Sequence, residues 1–500
     1  MSATADVKPL SAADIAALRD RLGRGGGAWW RSLDELAGTA EFHRFVEAEF
    51  PSIAERLPRH VDRRTLLKLM GASFSLASLT ACDEAQSIVP YVRQPENVIP
   101  GRPRYFATSL NSGGYGIGAV VESHEGRPTK IEGNPDHPAS RGGTDAIMQA
   151  AVLSLFDPER SRTPLKSGEP ASYGDFLKDM AALTSRLAAT KGQGASLLIE
   201  ASTSPTMKAQ IEALLARYPD LRVFRHDPLA TPSGEAAAQK LFGRPFAPLY
   251  RLDRAETIVS LDADFLGEGP GRLAYARDFI ARRRVRGQTD TMSRLYATET
   301  TPTITGAAAD HRKAVRPSEV EPVAAALTAA LGGEVDRGLS SFDAGWIAAA
   351  ADDLKAAGRQ ALIVPGAQQS LFVHAAALAM NASLGALGNT VELIESPDAL
   401  LVVGDLAALC TEIATDEIDT LVVLGANPLH TAPADLNASK LFSRLKLLVH
   451  WGLYRDETAM LAHWHIPAAH DLESWSDIRA YDGTASIMQP LILPLFQGRT

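Results

Sequence analysis

Three histidines and a glutamate form the densest group of potential ligands in the sequence. His463, His465 and His470 fall within eight residues, and Glu473 follows shortly afterwards. Imidazole suits zinc, copper or iron. His463 and His465 alternate along a predicted strand, however, and His470 follows a proline turn, so the three rings need not converge. The pattern favours buried, hydrogen-bonded histidines over a metal site, and we predict no metal ligands in this chain.

A second group of candidate residues lies where predicted strands end. Asp262 and Asp264 follow the strand at 257–261, and Asn427 and Pro428 follow the strand at 420–424. A dinucleotide needs backbone N–H groups and cations at such a strand end, and no G-x-G-x-x-G follows any strand. The two aspartates would repel a pyrophosphate, unless they are ordinary solvated or capping residues of a turn.

These strand ends belong to a repeated α/β pattern. Strands at 196–200 and 257–261 alternate with helices, and strands at 361–365 and 420–424 repeat the plan with nearly the same spacing. We interpret this as two Rossmann-like halves facing a shared crevice. Four strand-end loops should line that crevice: Ala201 to Pro205, Asp262 to Gly267, Gly366 to Ser370 and Gly425 to Pro428.

Composition narrows the class of protein. The 500 residues are 45% hydrophobic and 22% charged, with a net charge of -9, which is typical of a globular protein and argues against nucleic acid as a partner. No run of about 18 apolar residues predicts a spanning helix. Cys82 and Cys410 are the only cysteines, so a disulfide scaffold is excluded.

The stretch from Gly126 to Leu165 contains the most specific sequence motif in the chain. It reads as a strand, a loop rich in turn formers, and an apolar helix from Ala146 to Phe156. Its sequence, KIEGNPDHPASRGG followed by DPERSRTPL, resembles the N-terminal signature of the molybdopterin oxidoreductase superfamily, whose members bind two guanine dinucleotides. The family's four-cysteine iron–sulfur motif is missing, and without thiolates that cluster cannot form.

The first eighty residues resemble targeting sequences, which direct a protein to its cellular location. We predict a helical extension over 1–58, followed by a twin-arginine export signal and lipobox over 59–82. The signal is the pair Arg63 and Arg64 ahead of a small-residue apolar run, and the lipobox is Leu79-Thr80-Ala81-Cys82. A cytosolic helix with an exposed Arg-Arg pair, and a buried small cysteine, are the alternatives.

Taken together, these segments resemble one group, the iron–sulfur subunit of alternative complex III. The resemblance implies an α/β, molybdopterin oxidoreductase-like fold with an N-terminal segment at 83–165. The first Rossmann-like domain would span 166–340, and the second, with the start of a following segment, 341–500. It also implies a cofactor-free scaffold of a quinol-oxidising membrane complex, in a chain that is either a fragment or a split subunit.

The resemblance implies partners and a location as well. The partners would be an integral membrane quinol-binding subunit and cytochrome c subunits, with iron–sulfur clusters in a missing C-terminal half or a partner subunit. The chain would lie on the periplasmic side, anchored by lipid on Cys82, with its extension removed or cytosolic before processing. The alternative is a catalytic molybdenum oxidoreductase. If a cofactor binds, Asn427, Pro428, His470 and Glu473 would hold it.

Overall fold

The computed structural model describes residues 98–99, 101–229, 233–287, 291–335, 342–397 and 402–500. The predicted extension, the pair Arg63 and Arg64, and Cys82 lie outside these residues, so the predictions made for them stay predictions. None of the helices in the described ranges combines the length and apolar character needed to cross a bilayer.

Short strands alternate with helices through most of the described chain. The strands are β1 (Arg104–Ser112), β2 (Tyr115–His124), β3 (Arg127–Gly133), β4 (Leu165–Lys166), β5 (Glu169–Pro170), β6 (Ala195–Ile199), β7 (Arg222–Arg225), β8 (Phe246–Tyr250), β9 (Thr257–Leu261), β10 (Arg294–Glu299), β11 (His311–Ala314), β12 (Ala361–Pro365), β13 (Val391–Glu395), β14 (Gly404–Asp405), β15 (Thr420–Leu424), β16 (Leu447–Gly452), β17 (Trp464–Pro467), β18 (Ser476–Arg479) and β19 (Ala485–Met488).

The helices include both long elements and single turns. They are α1 (Ala146–Leu155), α2 (Tyr173–Thr190), α3 (Pro205–Arg217), α4 (Ser233–Phe242), α5 (Arg272–Arg282), α6 (Ile304–Ala307), α7 (Val320–Ala330), α8 (Ala344–Ala357), α9 (Leu371–Ser383), α10 (Leu406–Ala414), α11 (Pro428–Thr431), α12 (Ala438–Phe442) and α13 (Glu457–Leu461).

Two mainly parallel sheets form the centre of the α/β part. The larger has the order β14-β7-β6-β15-β16-β17-β4-β5, in which β4 and β5 are antiparallel additions at one edge. The smaller has the order β11-β10-β9-β12 and is parallel throughout. Buried aliphatic strand residues such as Ile363 and Val423 pack against apolar helix faces and build a separate core on each sheet.

The sheets group the strands differently from the predicted halves. The strands at 195–199 and 420–424 were assigned to different halves, yet they are parallel neighbours in the large sheet. The strands at 257–261 and 361–365 are likewise neighbours in the small sheet. Each sheet therefore draws strands from both sides of the predicted boundary at residue 340. The repeated spacing of strands along the sequence does not indicate which strands pair, because strand pairing depends on contacts between distant parts of the chain.

The signature stretch forms a separate antiparallel layer. Strands β1, β2 and β3 pair in sequence order, and helix α1 packs on them through Met148 and Leu155, with Leu472 from the C-terminal region in the same cluster. Asp145 begins the helix by accepting a hydrogen bond from the Met148 amide at 2.7 Å. The predicted strand, loop and helix of this stretch are confirmed.

Gly133, within the signature stretch, is expected to tolerate no side chain. A Cβ atom built on it would overlap the carbonyl group of Gly142, which is backbone and cannot rotate away. Gly133→Ala should therefore lower the free energy of unfolding by about 1–3 kcal/mol, measured by denaturant titration. Gly174→Ala is the matched control, because its Cβ would meet only the Ser172 hydroxyl at 3.6 Å. Equal stability of the two variants would contradict the packing described.

Candidate functional site

The large sheet has a switch point between β6 and β15. From β6 the chain crosses to β7 on one side, and from β15 it crosses to β16 on the other, while β6 and β15 pair directly. In open α/β sheets, ligands bind in the crevice outside the carboxyl ends of the strands at such a point. The loops that begin at Glu200 and Gly425 therefore form the candidate site.

Glu200 is the first residue after β6 at this switch point. Gly425 has φ +78°, a backbone conformation that favours glycine, and a Cβ there would lie 2.7 Å from Glu200 Oε1, so the Glu200 side chain lies against the Gly425 backbone. Glu200 reaches solvent, yet the surrounding protein, and then the carboxylates of Asp471 and Asp227, raise its pKa to about 7. Burial and neighbouring carboxylates both favour the neutral form of a carboxyl group, so acidic groups surround this end of the two strands.

The N-terminus of α3, the helix that follows β6, holds a carboxylate of the chain itself. Asp477 on β18 accepts hydrogen bonds from Ser204 Oγ at 2.5 Å, Thr206 Oγ1 at 2.6 Å and the Thr206 amide at 3.2 Å. Burial opposes ionisation of Asp477, but the hydrogen bonds from Ser204 and Thr206 together lower its pKa. A helix N-terminus after a switch-point strand is where a doubly wound sheet binds phosphate, and here an internal anion occupies it.

The β1–β2 hairpin lies against the same loops. The Thr203 amide donates to the Gly114 carbonyl at 3.0 Å, and the Arg479 amide donates to Thr203 Oγ1 at 3.1 Å. On the other strand of the hairpin, the Asn111 amide donates to Asp471 Oδ2 at 3.0 Å, and burial raises the pKa of Asp471. Polar groups of the crevice loops are thus bonded to neighbouring backbone.

The residues that the resemblance assigns to a cofactor are engaged with other parts of the chain. Asn427 donates from Nδ2 to Glu457 Oε2 at 2.8 Å and accepts from Thr458 Oγ1 at 2.8 Å. Pro428 is buried and begins α11. Both therefore serve the connection between α11 and α13.

His470 has a defined tautomer. Its Nδ1 accepts a hydrogen bond from the Leu472 amide at 3.1 Å, so Nε2 carries the proton and donates to Ser154 Oγ at 2.9 Å. The Ser154 hydroxyl in turn donates to the Ala151 carbonyl at 2.8 Å. Burial is the largest cause of the lowered pKa of His470. The ring joins the C-terminal region to helix α1 of the signature stretch.

Glu473 forms a buried ion pair with Arg160. The guanidinium donates to the two carboxylate oxygens at 3.0 and 2.7 Å, and the side chains are 1% and 0% exposed. The carboxylate also accepts from the His470 amide at 2.9 Å and the Leu495 amide at 3.0 Å. Burial opposes ionisation, yet these hydrogen bonds, that of Arg160 first, lower the pKa of Glu473. Glu473 is therefore saturated within the chain.

His463 and His465 form hydrogen bonds with residues of the neighbouring strand β16. His465 contacts His450, with 3.0 Å between their Nδ1 atoms, and both rings are buried. His450 Nε2 donates to the Ala426 carbonyl at 3.3 Å, so His450 Nδ1 accepts from His465, whose Nε2 accepts from Ser161 Oγ at 2.6 Å. His463 Nδ1 accepts from the Leu448 amide at 2.9 Å.

The predicted buried, hydrogen-bonded histidines are confirmed for His465 and His470, whereas His463 is hydrogen-bonded but only half-buried. His450 was missed, although its place on a parallel strand directly opposite His465 follows once the register is known. Within the described ranges, no three histidine, cysteine, aspartate or glutamate side chains are arranged to hold a metal ion.

Asp262 and Asp264 are turn residues of the small sheet. Asp262 accepts hydrogen bonds from the Thr300 amide at 2.7 Å and from Gln369 Nε2 at 2.8 Å. Asp264 accepts from Thr305 Oγ1 at 2.7 Å. Both carboxylates thus cap turns, which is one of the two interpretations that the sequence left open. The acidic groups near the switch point are Glu200, Asp471 and Asp477, which the sequence analysis did not select.

The four predicted crevice loops meet as two pairs. The loops at 201–205 and 425–428 follow neighbouring strands of the large sheet, and the loops at 262–267 and 366–370 contact each other through Asp262 and Gln368 at the small sheet. Beside the first pair lies a cavity of about 280 Å³, whose lining includes Ser202, Lys208, Glu212, Glu395 and Arg479.

Glu200→Gln is expected to change stability with a defined pH dependence. An unfolded glutamate ionises near pH 4.3, so the raised pKa of Glu200 costs stability progressively as the pH rises from there to about 7. The variant should therefore melt at a higher temperature than the unmodified protein at pH 8, and at the same temperature at pH 4. Glu159→Gln on an exposed turn is the control. A shift of equal size at both pH values would contradict the assignment.

No protein-family model matches the chain. The chain is 25% identical over 484 residues to the "menaquinone reductase, molybdopterin-binding-like subunit" of Nitratidesulfovibrio vulgaris. The alignment covers 87% of this chain and 69% of the relative. The structure of this chain superposes on that of acetylene hydratase from Pelobacter acetylenicus with a TM-score of 0.61 and 14% sequence identity. The superposition covers 78% of this chain and 67% of acetylene hydratase. The chain is thus α/β with a fold similar to that of the molybdopterin oxidoreductases.

Proposed function

We propose that this chain is a cofactor-free scaffold subunit of a membrane complex that transfers electrons at a quinone. The observation that carries the proposal is the carboxylate of Asp477 at the N-terminus of α3. A bound dinucleotide would have to displace that carboxylate and give up its hydrogen bonds with Ser204 and Thr206. Two like unit charges about 4 Å apart repel by about 4 kcal/mol at an effective dielectric constant of about 20.

The second support is the number of acidic groups around the switch point. Glu200 follows a strand at the switch point, and Asp471 is hydrogen-bonded to the adjoining β1–β2 hairpin. The phosphates of a dinucleotide bound there would add negative charge near both, and burial raises the pKa of each. The residues that the resemblance assigns to cofactor binding, among them Asn427 and Glu473, are already bonded within the chain. The residues present do not fit a pyrophosphate at this position.

The setting of the proposal comes from resemblance. The relative's name describes a molybdopterin-binding-like subunit of a menaquinone reductase, which supports a quinone-linked electron-transfer complex. The resemblance to the iron–sulfur subunit of alternative complex III favours quinol oxidation, with a quinol-binding membrane subunit, cytochrome c subunits and clusters outside this chain. We place the protein on the periplasmic side, anchored by lipid on Cys82.

A catalytic molybdenum oxidoreductase is the second candidate. It is favoured by the cavity beside the loop at 202–205, because Lys208 and Arg479 line it and Lys208 has no ion-pair partner in the ranges that the structure describes. Cations suit phosphate groups. Glu212 and Glu395 line the same cavity, however, and offset that charge.

Deletion and complementation separate the two functions. We expect cells without this chain to lose the assembled complex, and the unmodified chain to restore both assembly and quinol oxidation. Glu200→Gln should restore both equally well, because a scaffold performs no chemistry in the crevice. An assembled complex containing this variant that had lost most of its activity would favour the enzyme instead.

Export is expected to depend on the paired guanidinium groups of Arg63 and Arg64. Replacing both by lysine keeps the charge but removes the planar donor geometry of arginine, so the protein should accumulate in the cytoplasm and its periplasmic amount should fall at least tenfold. Fractionation and immunoblotting measure this. Replacement of Arg102 and Arg104 by lysine is the control, and unchanged periplasmic accumulation of the first variant would contradict the proposed signal.

A further inference from the structure

The exposed face of helix α5 and the residues just after it form a shallow, open apolar depression, which we call the groove. The groove is lined by Ala276, Arg277, Ile280, Ala281 and Arg284 and has a volume of about 510 Å³. Ile280, which lies between Arg277 and Arg284 in sequence, is 56% exposed, and Val285, the residue after Arg284, is 55% exposed. Large aliphatic side chains that are half exposed at one place on a surface commonly mark an interaction site.

The arginines from Arg272 to Arg284 fall into two classes. Those of the first class have carboxylate partners in the chain: Arg272 pairs with Asp145, and Arg283 pairs with both oxygens of Asp310 at 2.7 Å. Arg282 lies 3.8 Å from Glu256. On the interior side of helix α5, the arginine charges are therefore paired with carboxylates.

The two arginines that line the groove are not matched. The Arg277 guanidinium donates to the carbonyl oxygen of Arg141, which carries no formal charge, and the Arg284 side chain has no ion pair in the described part of the chain. Within the described residues, two positive charges without an ion-pair partner thus flank Ile280. The whole chain has 59 acidic residues against 50 lysines and arginines, so this surface runs against the overall charge.

We infer that this groove docks an acidic amphipathic helix of another subunit of the complex. Carboxylates of that helix would pair with Arg277 and Arg284, and its apolar side chains would cover Ile280. Ala276 and Ala281 have short side chains and would let the partner approach closely. An anionic lipid surface is less favoured, because the net charge of -9 would repel it at distances beyond this small groove.

The inference rests on the proposed function only in naming the partner as a subunit of the same complex. It does not depend on the crevice at the switch point. A protein that contained molybdenum could still bind an acidic helix at α5, and a molybdenum-free scaffold could lack such contact. The two proposals therefore fail separately.

Photocrosslinking in the purified, full-length complex tests the inference. With p-benzoylphenylalanine in place of Ile280, we expect a crosslink to one partner peptide that contains at least two aspartates or glutamates within two helical turns. The same label in place of Leu177, which is 50% exposed on α2, is the control. A crosslink to lipid, to a second copy of this chain or to a peptide without acidic residues would overturn the inference, as would a yield no higher than that at position 177.

Charge reversal gives an independent readout. The pair Arg277→Glu and Arg284→Glu should lower the crosslink yield at position 280 at least tenfold, while the melting temperature of the purified chain stays within a few degrees. Lys178→Glu, at an exposed ion pair on α2, should leave the yield unchanged. Changing the partner's crosslinked carboxylates to lysine should restore the yield with the reversed arginines. An unchanged yield with them, or failure of that restoration, would contradict charge pairing.

Discussion

Replacing Arg160 by alanine is expected to lower the free energy of unfolding by about 3–5 kcal/mol, because it leaves a buried carboxylate without its counter-charge. The pair with Glu473 is almost fully buried, and it joins the signature stretch to the C-terminal region across 313 positions of sequence. Glu473→Gln should cost a similar amount, since it leaves the guanidinium uncompensated. Equilibrium denaturation measures both.

Two controls isolate the effect of burial. Glu132→Gln disrupts the exposed pair with Lys130 and should cost no more than about 1 kcal/mol. The double variant Arg160→Met with Glu473→Leu should be more stable than either single variant, because apolar side chains carry no desolvation penalty. If the double variant is the least stable of the three, the cost of an unpaired charge is not what the single variants measure.

Acidification is expected to act through the His450 and His465 pair. Burial, and next the neighbouring His450, lowers the pKa of His465 to about 3, and burial lowers that of His450 despite Asp456 3.7 Å away. Unfolded histidine titrates near 6.5. Below that pH the unfolded chain binds protons that the folded pair excludes, so stability falls as the pH drops from about 6.5 toward 3.

The size of this pH dependence can be measured by substitution. Each excluded proton contributes about 1.4 kcal/mol of lost stability per pH unit, so His465→Gln should flatten the fall between pH 6 and pH 5 by about that amount. The charged groups facing the pair are Asp456 and Arg455, and both remain in the variant. His430→Gln, at an exposed ring, should leave the slope unchanged. Parallel curves for His465→Gln and the unmodified protein would contradict the assignment.

Local structure was predictable wherever the sequence holds a short, apolar run between turn formers. The strands at 257–261, 361–365 and 420–424 have the predicted bounds, because each is a short apolar run that ends where polar or turn-forming residues begin. Their distribution between two sheets was not predictable. It depends on pairing between strands more than 100 residues apart, and the apolar runs are too alike to specify it.

The candidate site shows the same division. His470 and Glu473 were selected as candidate site residues because of the sequence motif around them. In the structure, His470 bonds to Ser154, 316 positions away, and Glu473 bonds to Arg160, 313 positions away. No local pattern connects those residues. Asp477 was missed for the same reason, since its role follows only from the approach of β18 to the N-terminus of α3. Carboxylates near a strand end were expected, but the fold places different ones at the switch point.

Elemental analysis of the complex purified from its own membrane tests the central claim most directly. If Asp477 and Glu200 occupy the place of a dinucleotide, molybdenum and tungsten should each be found at well below one atom per ten copies of this chain. Iron should be present from partner subunits and confirms that the complex is intact. One molybdenum or tungsten atom per chain, retained after the partner subunits are removed, would show that this protein is an enzyme and not a scaffold.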